Sequence, residues 1–219
     1  MFLNVDPDLQ SKFPGLKAQI FRVKGVEVKR EEAGLKEFKA EVIERTRGKW
    51  DLEQLRGHPV FRAYRDFFWR VGVDPTKTRP AAEALIRRVL RDRPLPTINT
   101  LVDAYNLASI DTAIPLAAFD EGGLVGELLM REALEGERFL GIGMEKAVVF
   151  EGGEAVVEDE EKLIAIYPHR DADACKITHE TTDTLMLVCG VPNIDDEVLA
   201  WAGRVAVDYI TRFCGGSEA

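Results

Sequence analysis

Three polar residues in a stretch with little charge are the first candidates for binding chemistry. Asn99, Asp103 and Asn106 are spaced i, i+4 and i+7, so a helix would place them on one face. From residue 94 to residue 118 only Asp103 and Asp111 are charged, whereas 31% of the whole chain is charged. Because buried amides and carboxylates must be hydrogen-bonded, this face predicts either ties to neighbouring loops or the wall of a polar pocket. The structural alternative is the commoner of the two.

A second polar run, "HRDADACKITHETTD", lies between two predicted strands at residues 169–183. Loops that connect strands often hold the binding side chains of a protein. The candidate binding residues of this run are Arg170, Asp171, Asp173, Lys176 and Thr178. The alternative is that they are ordinary solvated loop residues.

A metal site is a weaker interpretation of the same run. His169 and His179 lie ten residues apart, close to Cys175, but their spacing fits no zinc template. A metal hydrolase is therefore only a third alternative, and we expect no metal. Cys175, Cys189 and Cys214 are odd in number and widely spaced, which predicts reduced and mostly buried side chains.

A basic segment indicates a surface for phosphate groups. Residues 62–93 contain nine Lys or Arg against four acids, so the segment is net +5 and the remainder of the chain −14. The candidate RNA contacts are Lys77, Arg79, Arg87, Arg88 and Arg91. The whole chain has a net charge of −9, which argues against non-specific coating of nucleic acid, and no DNA partner is expected. A solvated helix face is the alternative.

Composition and missing motifs narrow the class of protein. Hydrophobic residues make up 46% of the 219 residues, enough for a substantial core. No Walker loop, GxGxxG, GxSxG or HExxH motif occurs, and no organic cofactor is expected. There is no apolar run of membrane-spanning length and no secretory signal pattern. We therefore expect a soluble, cytoplasmic protein with no membrane partner.

Hydrophobic periodicity predicts the elements that position these residues. The first thirty residues are predicted to be β structure, because residues 18–28 alternate as a strand does. Helices are predicted over 31–46, 51 or 59 to 69, 80–91, about 97–108, and 195–214. After residue 115, short apolar runs with glycines between them predict strands, the last of them "TLMLVCGV". Gly152-Gly153 predicts the turn of a hairpin over residues 148–157. With no repeat or linker, one α+β domain over 1–219 is the simplest account.

Three motifs in this order resemble a known module, and a fourth motif precedes them in the chain. "VDAYN" at 102–106, "PLAAFD" at 115–120 and "GELLMREALEGERF" at 126–139 resemble the B3/B4 module of the phenylalanyl-tRNA synthetase beta subunit. "VGVDPTKTRPAAEALIRRVL" at 71–90 is similar to stand-alone proteins built from that module. The resemblance makes about 60–191 the recognisable core, 1–59 an N-terminal extension and 194–214 a C-terminal helix.

The resemblance implies a fold and an activity. The fold would be α+β, with antiparallel and mixed sheets in a sandwich-like core flanked by helices. In the synthetase this module hydrolyses the ester of tyrosine mistakenly attached to phenylalanine tRNA, without a metal or an organic cofactor. Asn106 matches the family's asparagine that lines the editing pocket, and Tyr105 takes the adjacent position.

Two departures from the family pattern concern substrate recognition. The bacterial module commonly has histidine directly after its Pro-Leu, where this chain has Ala117. A glutamate that recognises the tyrosine hydroxyl falls near Leu187, where this chain has no acid. We therefore expect tyrosine recognition, and the editing mechanism itself, to differ from those of the synthetase.

The sequence thus predicts a free-standing tRNA-binding or editing module, an aminoacyl-tRNA deacylase acting in trans without ligase activity. Such a site needs only to orient water and to stabilise an oxyanion. Candidate donors are Asn99, Asn106, Arg170 and Lys176, and candidate partners for the substrate ammonium or for water are Asp103, Asp171 and Asp173. Expected partners are tRNA and the amino-acid moiety. The rival prediction is a non-catalytic protein that keeps the fold and binds RNA or a free amino acid.

Overall fold

The computed structural model describes all of residues 1–219 and confirms an α+β fold. Six of its seven helices precede the strand that begins at Leu116. The prediction of β structure throughout the first thirty residues is wrong at residues 7–12, where Asp6 caps a short helix that has proline in its first turn. The helices are α1 (Pro7–Lys12), α2 (Ala33–Lys49), α3 (Leu52–Gly57), α4 (Pro59–Arg70), α5 (Ala81–Val89), α6 (Thr100–Thr112) and α7 (Asp196–Cys214). None of them is both long and apolar enough to cross a bilayer.

The strands form a four-stranded sheet, a five-stranded sheet and a separate short pair. The strands are β1 (Asn4–Val5), β2 (Lys17–Lys24), β3 (Leu116–Asp120), β4 (Leu129–Glu132), β5 (Arg138–Phe139), β6 (Val148–Val149), β7 (Ala155–Glu158), β8 (Leu163–Ile166), β9 (Arg170–Asp171), β10 (Asp183–Gly190) and β11 (Ser217–Glu218). The four-stranded sheet has the order β11-β2-β10-β3, and the five-stranded sheet the order β1-β4-β7-β8-β9. Only β1 and β4 pair in parallel.

Strand β10 lies inside the four-stranded sheet, where β2 and β3 pair with it on either side. Its continuous apolar run predicts cover on both faces, and every residue from 184 to 190 is buried. Helix α7 packs against β2 and β10 on one face. Gly203 permits a close approach there, because a Cβ at this position would overlap the ring of Phe21. The other face of β10 packs towards the five-stranded sheet, since Leu187 and Cys189 line a cavity together with Ala165 and Ile166 of β8.

Tyr167 ties the two sheets together. Its hydroxyl lies 2.6 Å from the carbonyl oxygen of Gly190, at the end of β10, and 3.2 Å from that of Lys17, at the start of β2. The side chain is almost fully buried, so these carbonyls satisfy a hydroxyl that would otherwise be costly to bury. Tyr167 directly follows β8, and it thereby fixes the distance between the turn after β8 and the four-stranded sheet.

The predicted hairpin over residues 148–157 is wrong. β6 pairs with β5 and β7 pairs with β4, and the pairing of Arg138 with Val149 continues the register of Glu132 with Ala155. One long hairpin therefore has the arms 129–139 and 148–158 and turns through 140–147. Gly152 and Gly153 do have positive φ values, 99° and 89°, but they form an irregularity within the second arm.

Helix α6 explains the low charge of residues 94–118. It is surrounded by other elements, because α2, α5, α7 and β3 all pack against it. The helix begins later than predicted, since Asn99 is its N-cap and accepts a hydrogen bond from the Val102 amide at 2.9 Å. It ends later as well, at Thr112, and its C-cap Ala113 has a φ of 61°. Little of its surface is left for solvated charge.

Candidate functional site: a cavity that adjoins a basic surface

A cavity of about 90 Å³ opens between the two sheets beside the start of α5. Its volume is well above the ~10–15 Å³ that a single water requires. The residues that line it are Arg79, Ala81, Leu116, Ala117, Ala165, Ile166, Tyr167, Pro168, His169, Asp171, Leu187 and Cys189. They come from β3, β8, β9 and β10, from the chain between β8 and β9, and from the start of α5 with the residues just before it, so residues distant in sequence meet here.

The part of the cavity wall that β3 and β10 form is apolar. Ala117 lies directly opposite Leu187 in the antiparallel pair, so their side chains lie on the same face of the sheet. Cys189 lies two residues further along β10 and shares that face. Ala117 is 6% exposed and Leu187 1% exposed. Neither Ala117 nor Leu187 offers this part of the wall a charge or a hydrogen bond.

Asp171 provides a carboxylate in the same cavity. It lies in β9, opposite Ala165 of β8, and no protein group donates a hydrogen bond to its side chain. Burial raises the pKa of Asp171 from its usual 3.8 to about 7, and the positive charge of neighbouring Arg170 only partly offsets this. At neutral pH the carboxyl group therefore exchanges protons readily, as a general base does.

Two further polar side chains lie near this carboxylate. Burial, with a smaller effect of Arg170, lowers the pKa of His169 to about 4, so its imidazole is neutral at pH 7. The Nδ1 atom of His169 is buried and has no hydrogen-bond partner. Burial and, next, the charge of Asp171 raise the pKa of Tyr105, whose hydroxyl therefore stays protonated. His169 lines the cavity and is available to a polar ligand in neutral form, whereas Tyr105 is not among the lining residues.

The basic side chains predicted to contact RNA line one concave surface. This basic surface consists of Lys77, Arg79, Arg87, Arg88, Arg91 and Arg93, together with Ala84. All five predicted contacts lie on it, and Arg93, which belongs to the basic segment but was not predicted as a contact, joins them. Arg79 lines both the basic surface and the cavity. The two features are therefore adjacent, which the sequence did not reveal.

Not every cation of the basic surface is free. Arg87 donates to the buried carboxylate of Glu83 at 2.7 Å, and Arg65 donates to the same oxygen at 3.1 Å. Arg88 donates twice to the carbonyl oxygen of Pro94, at 3.0 and 2.8 Å. These arginines hold α5 to its surroundings. Arg79, Arg91 and Arg93 have no carboxylate partner within the protein, and Lys77 has only Asp74 at 3.9 Å.

The polar face formed by Asn99, Asp103 and Asn106 serves mainly as a set of structural ties. Asp103 is buried and accepts hydrogen bonds from Lys39 Nζ at 2.7 Å and from the Ile98 amide at 3.0 Å. Asn99 caps α6. Asn106 is half-buried, and its side-chain amide makes no hydrogen bond to the protein. It is not among the residues that line the cavity, so its role in a pocket stays a prediction.

The remaining predicted residues of the 169–183 run lie apart from the cavity. Asp173 and Lys176 form an ion pair at 2.8 Å. Thr178 closes a turn, because its hydroxyl accepts from the Glu180 amide at 3.2 Å. Arg170 is exposed and donates to the Ile142 carbonyl oxygen at 3.2 Å. Of the predicted site residues, the structure thus brings together Ala117, Asp171 and Arg79, with Tyr105 close to Asp171.

The two histidines of the metal alternative lie in different surroundings. His169 lines the cavity, with its ring centroid 5.9 Å from that of Phe68. The Nδ1 atom of His179 lies 3.2 Å from the Val28 carbonyl oxygen. No three His, Cys, Asp or Glu side chains converge on a point where they could hold a metal ion. The three cysteines are free and buried, as predicted.

Sequence reasoning missed the aromatic and histidine residues of the cavity. Periodicity indicates Tyr167 only as the end of a strand, and residue type indicates His169 only as a metal candidate. The one signal in the sequence is the step from the apolar "KLIAIY" to Pro168 and the polar run, which marks a strand end where a side chain can turn into a pocket.

Residues 63–215 match the family model described as the B3/4 domain. The chain belongs to the B3/4 domain family. The matched stretch extends from α4 to just beyond α7, and so it includes every element of the cavity and of the basic surface. The sequence-based resemblance to this module is confirmed.

Two proteins with similar sequences are synthetase subunits. The phenylalanine–tRNA ligase beta subunit of Symbiobacterium thermophilum is 29% identical over 130 residues, which are 59% of this chain and 14% of that protein. The corresponding subunit of Mycoplasma genitalium is 31% identical over 81 residues, 37% of this chain and 10% of that protein. The B3/4 chain therefore spans only a small part of the length of these relatives.

A solved structure shares the fold. It is an N-terminal fragment of the phenylalanyl-tRNA synthetase beta-subunit from Pyrococcus horikoshii, which superposes with a TM-score of 0.51. The match covers 99% of this chain and 49% of that one at 13% identity. At this identity the likeness shows the fold alone.

Proposed function

We propose that this B3/4 domain binds the aminoacyl end of a tRNA and hydrolyses its ester in trans. The observation that supports it most is the position of Arg79, which lines both the basic surface and the cavity. Phosphates of an acceptor stem held on the basic surface would leave the esterified 3′ end beside Arg79. The ester then has only to enter the adjoining cavity.

The cavity offers a general base for such a hydrolysis. Asp171 takes a proton from a water molecule, whose oxygen attacks the ester carbonyl carbon. The tetrahedral intermediate then expels the ribose oxygen, which receives that proton, and free amino acid and tRNA result. A pKa of about 7 for Asp171 suits this exchange at neutral pH. The neutral His169, which also lines the cavity, is the neighbouring group that would hydrogen-bond the oxyanion.

The apolar pair Ala117 and Leu187 favours an aminoacyl side chain without a hydroxyl group. A tyrosine hydroxyl placed against them would lose its water and find no partner, which costs on the order of 1–3 kcal/mol. An aliphatic or plain aromatic side chain meets no such penalty. The proposed substrate is thus a tRNA that bears an apolar amino acid.

A second candidate function is binding without hydrolysis. It is favoured by the same pair of residues, because neither Ala117 nor Leu187 can donate or accept a proton where the synthetase module is expected to have a histidine and a glutamate. In that case Asp171 would hold the substrate ammonium group instead of activating water.

A deacylation screen separates the two functions. Purified protein is incubated with a panel of mischarged tRNAs, and the release of amino acid is compared with that in buffer alone. We expect acceleration for at least one tRNA that bears an apolar amino acid, and a reduced rate for Asn106→Ala. If no member of the panel is accelerated while tRNA is retained on a filter, the binding function is favoured.

A further inference from the structure

A second concave surface lies where α2, α6 and α7 meet. This aromatic groove has a volume of about 530 Å³ and shares no lining residue with the cavity or the basic surface. Aromatic and basic side chains give it its character, chiefly Trp50, Trp201, Tyr209, Arg45, Lys49 and Arg212. A combination of rings and cations is the pattern by which proteins hold unpaired nucleotides.

The charges of the groove leave two cations without a carboxylate partner. Its one carboxylate, Asp111, accepts from Arg45 at 2.6 Å and from the Tyr209 hydroxyl at 2.7 Å, so its charge is neutralised. Lys49 and Arg212 form no ion pair with any carboxylate in the protein. Lys49 Nζ donates to the backbone carbonyl oxygen of Asp111 at 3.3 Å and lies 5.1 Å from the centroid of Trp50. The guanidinium of Arg212 lies 4.7 Å from the centroid of Phe38.

The neighbouring acids do not enter the groove. The charge of Glu41 contributes to the raised pKa of Arg45, and the charge of Asp208 contributes to the raised pKa of Tyr209. Neither acid lines the groove. The groove therefore has an excess of positive charge, although the whole chain has a net charge of −9. Such a local excess attracts an anion.

Trp201 provides a free ring surface. It is 43% exposed on α7, whose other large apolar side chains are mostly buried or half-buried, and none of its ring contacts is with another aromatic side chain. Trp69 on α4 is also exposed, at 57%, but it lies in none of the three concave surfaces. The indole can stack on a nucleobase at the edge of the groove. The two cations that have no carboxylate partner can bind its phosphate.

We infer that the aromatic groove binds an unpaired nucleotide of an RNA strand, with the base stacked on Trp201 and the phosphate held by Lys49 and Arg212. An acidic peptide would satisfy the two cations but would leave the indole without a planar partner. The inference does not depend on the proposed hydrolysis, because the groove and the cavity are separate.

The test uses a fluorescein-labelled single-stranded oligoadenylate, which has no aminoacyl ester, and measures anisotropy with the full chain. We expect Trp201→Ala to weaken binding about tenfold and Trp201→Phe to retain most of it, because stacking needs only a ring. The double variant Lys49→Gln with Arg212→Gln should reduce the slope of log affinity against log salt by about 0.7, because the proposed nucleotide brings one phosphate to the groove. Thermal unfolding of each variant shows whether it is folded.

Matched controls lie outside the groove. Trp69→Ala removes an exposed tryptophan, and Arg138→Gln removes an exposed arginine that has no ion pair; both should bind as the unchanged protein does. The inference is overturned if a folded Trp201→Ala binds as tightly as the unchanged protein. It is equally overturned if Arg91→Gln, on the basic surface, abolishes binding while the groove variants do not, or if an acidic peptide displaces the oligonucleotide at matched charge.

Discussion

Ala117 and Leu187 face each other across β3 and β10, and both side chains line the cavity that contains Asp171. The resemblance to the synthetase module led us to expect a histidine at the position of Ala117 and a glutamate near Leu187. Because Ala117 and Leu187 are paired, both departures concern the same part of the cavity wall, which is apolar. It sets the proposed preference for an apolar aminoacyl group.

Leu187 should be important for stability as well as for the shape of the cavity. We expect Leu187→Ala to lower the free energy of unfolding by about 2–5 kcal/mol, because it removes a buried side chain from the central strand of the sheet. Urea unfolding measures the change. Leu134→Ala is the control: Leu134 is 65% exposed, so its truncation should cost little. Similar losses for the two variants would contradict the burial of Leu187.

The raised pKa of Asp171 predicts a pH dependence of stability. Between pH values of about 4 and 7 the folded chain retains a proton that the unfolded chain has lost, so the carboxyl group destabilises the fold increasingly as the pH rises. The lowered pKa of His169 has the opposite effect on stability over part of this range. His169 is present in both the unchanged protein and the variant Asp171→Asn, so its effect cancels when their stabilities are compared.

Asp171→Asn should therefore gain stability relative to the unchanged protein as the pH rises from 4 to 7, and the difference should stay constant above that. Chemical unfolding of both proteins at a series of pH values measures it. A difference that does not change with pH would mean that the carboxyl group has its usual pKa.

The cations of the basic surface should differ in what they do. Arg91→Gln with Arg93→Gln should weaken tRNA binding without loss of stability, since neither arginine has a carboxylate partner. The slope of log affinity against log salt should fall by about 0.9 for each phosphate that is no longer neutralised. Filter binding at several salt concentrations provides the measurement.

Arg87→Ala, by contrast, should destabilise the protein, because Glu83 is 1% exposed and would keep only Arg65 as a partner. If this variant is fully stable and loses only tRNA affinity, the structural role given to Arg87 is wrong.

The ion pair of Lys39 and Asp103 should be a structural tie with no direct part in binding. Lys39→Ala leaves a carboxylate buried without its cation, and we expect a loss of about 3 kcal/mol. The double variant Lys39→Met with Asp103→Leu should recover part of this, because no charge is left buried. Thermal unfolding compares the two. If the double variant is as unstable as the single one, the loss of stability does not come from the buried carboxylate of Asp103.

The sequence was sufficient to predict α2, α4, α5, α6 and α7, because amphipathic periodicity extends over many residues in each. It missed α1, which has only six residues, and it did not separate α3 from α4. It also predicted a buried β10 from a continuous apolar run. It failed at the hairpin, since Gly152 and Gly153 do adopt positive φ but in the arm of a longer hairpin. The residue types of a turn do not show whether two glycines form the end of a hairpin or an irregularity within one of its arms. That depends on which strands pair with the residues on either side.

The site was predictable only in parts. Asp171 and Arg79 are candidates on residue type, but nothing in the chain indicates that Arg79 borders the cavity, because that depends on how α5 packs against two sheets. Asn99 and Asp103 have the spacing of a binding face, yet one is a helix cap and the other a partner of Lys39. Spacing gives a shared face, and only tertiary packing shows what that face meets.

Whether the cavity is a hydrolytic site is decided by the single-turnover rate of ester hydrolysis on tRNAs that bear apolar amino acids, measured for the unchanged protein and for Asp171→Asn. We predict that the rate rises with pH to a plateau above about 7. At saturating protein, Asp171→Asn should lower it by about 100-fold while tRNA affinity is retained. Equal rates for the two proteins, or no acceleration over buffer although tRNA is bound, would contradict the proposed hydrolysis.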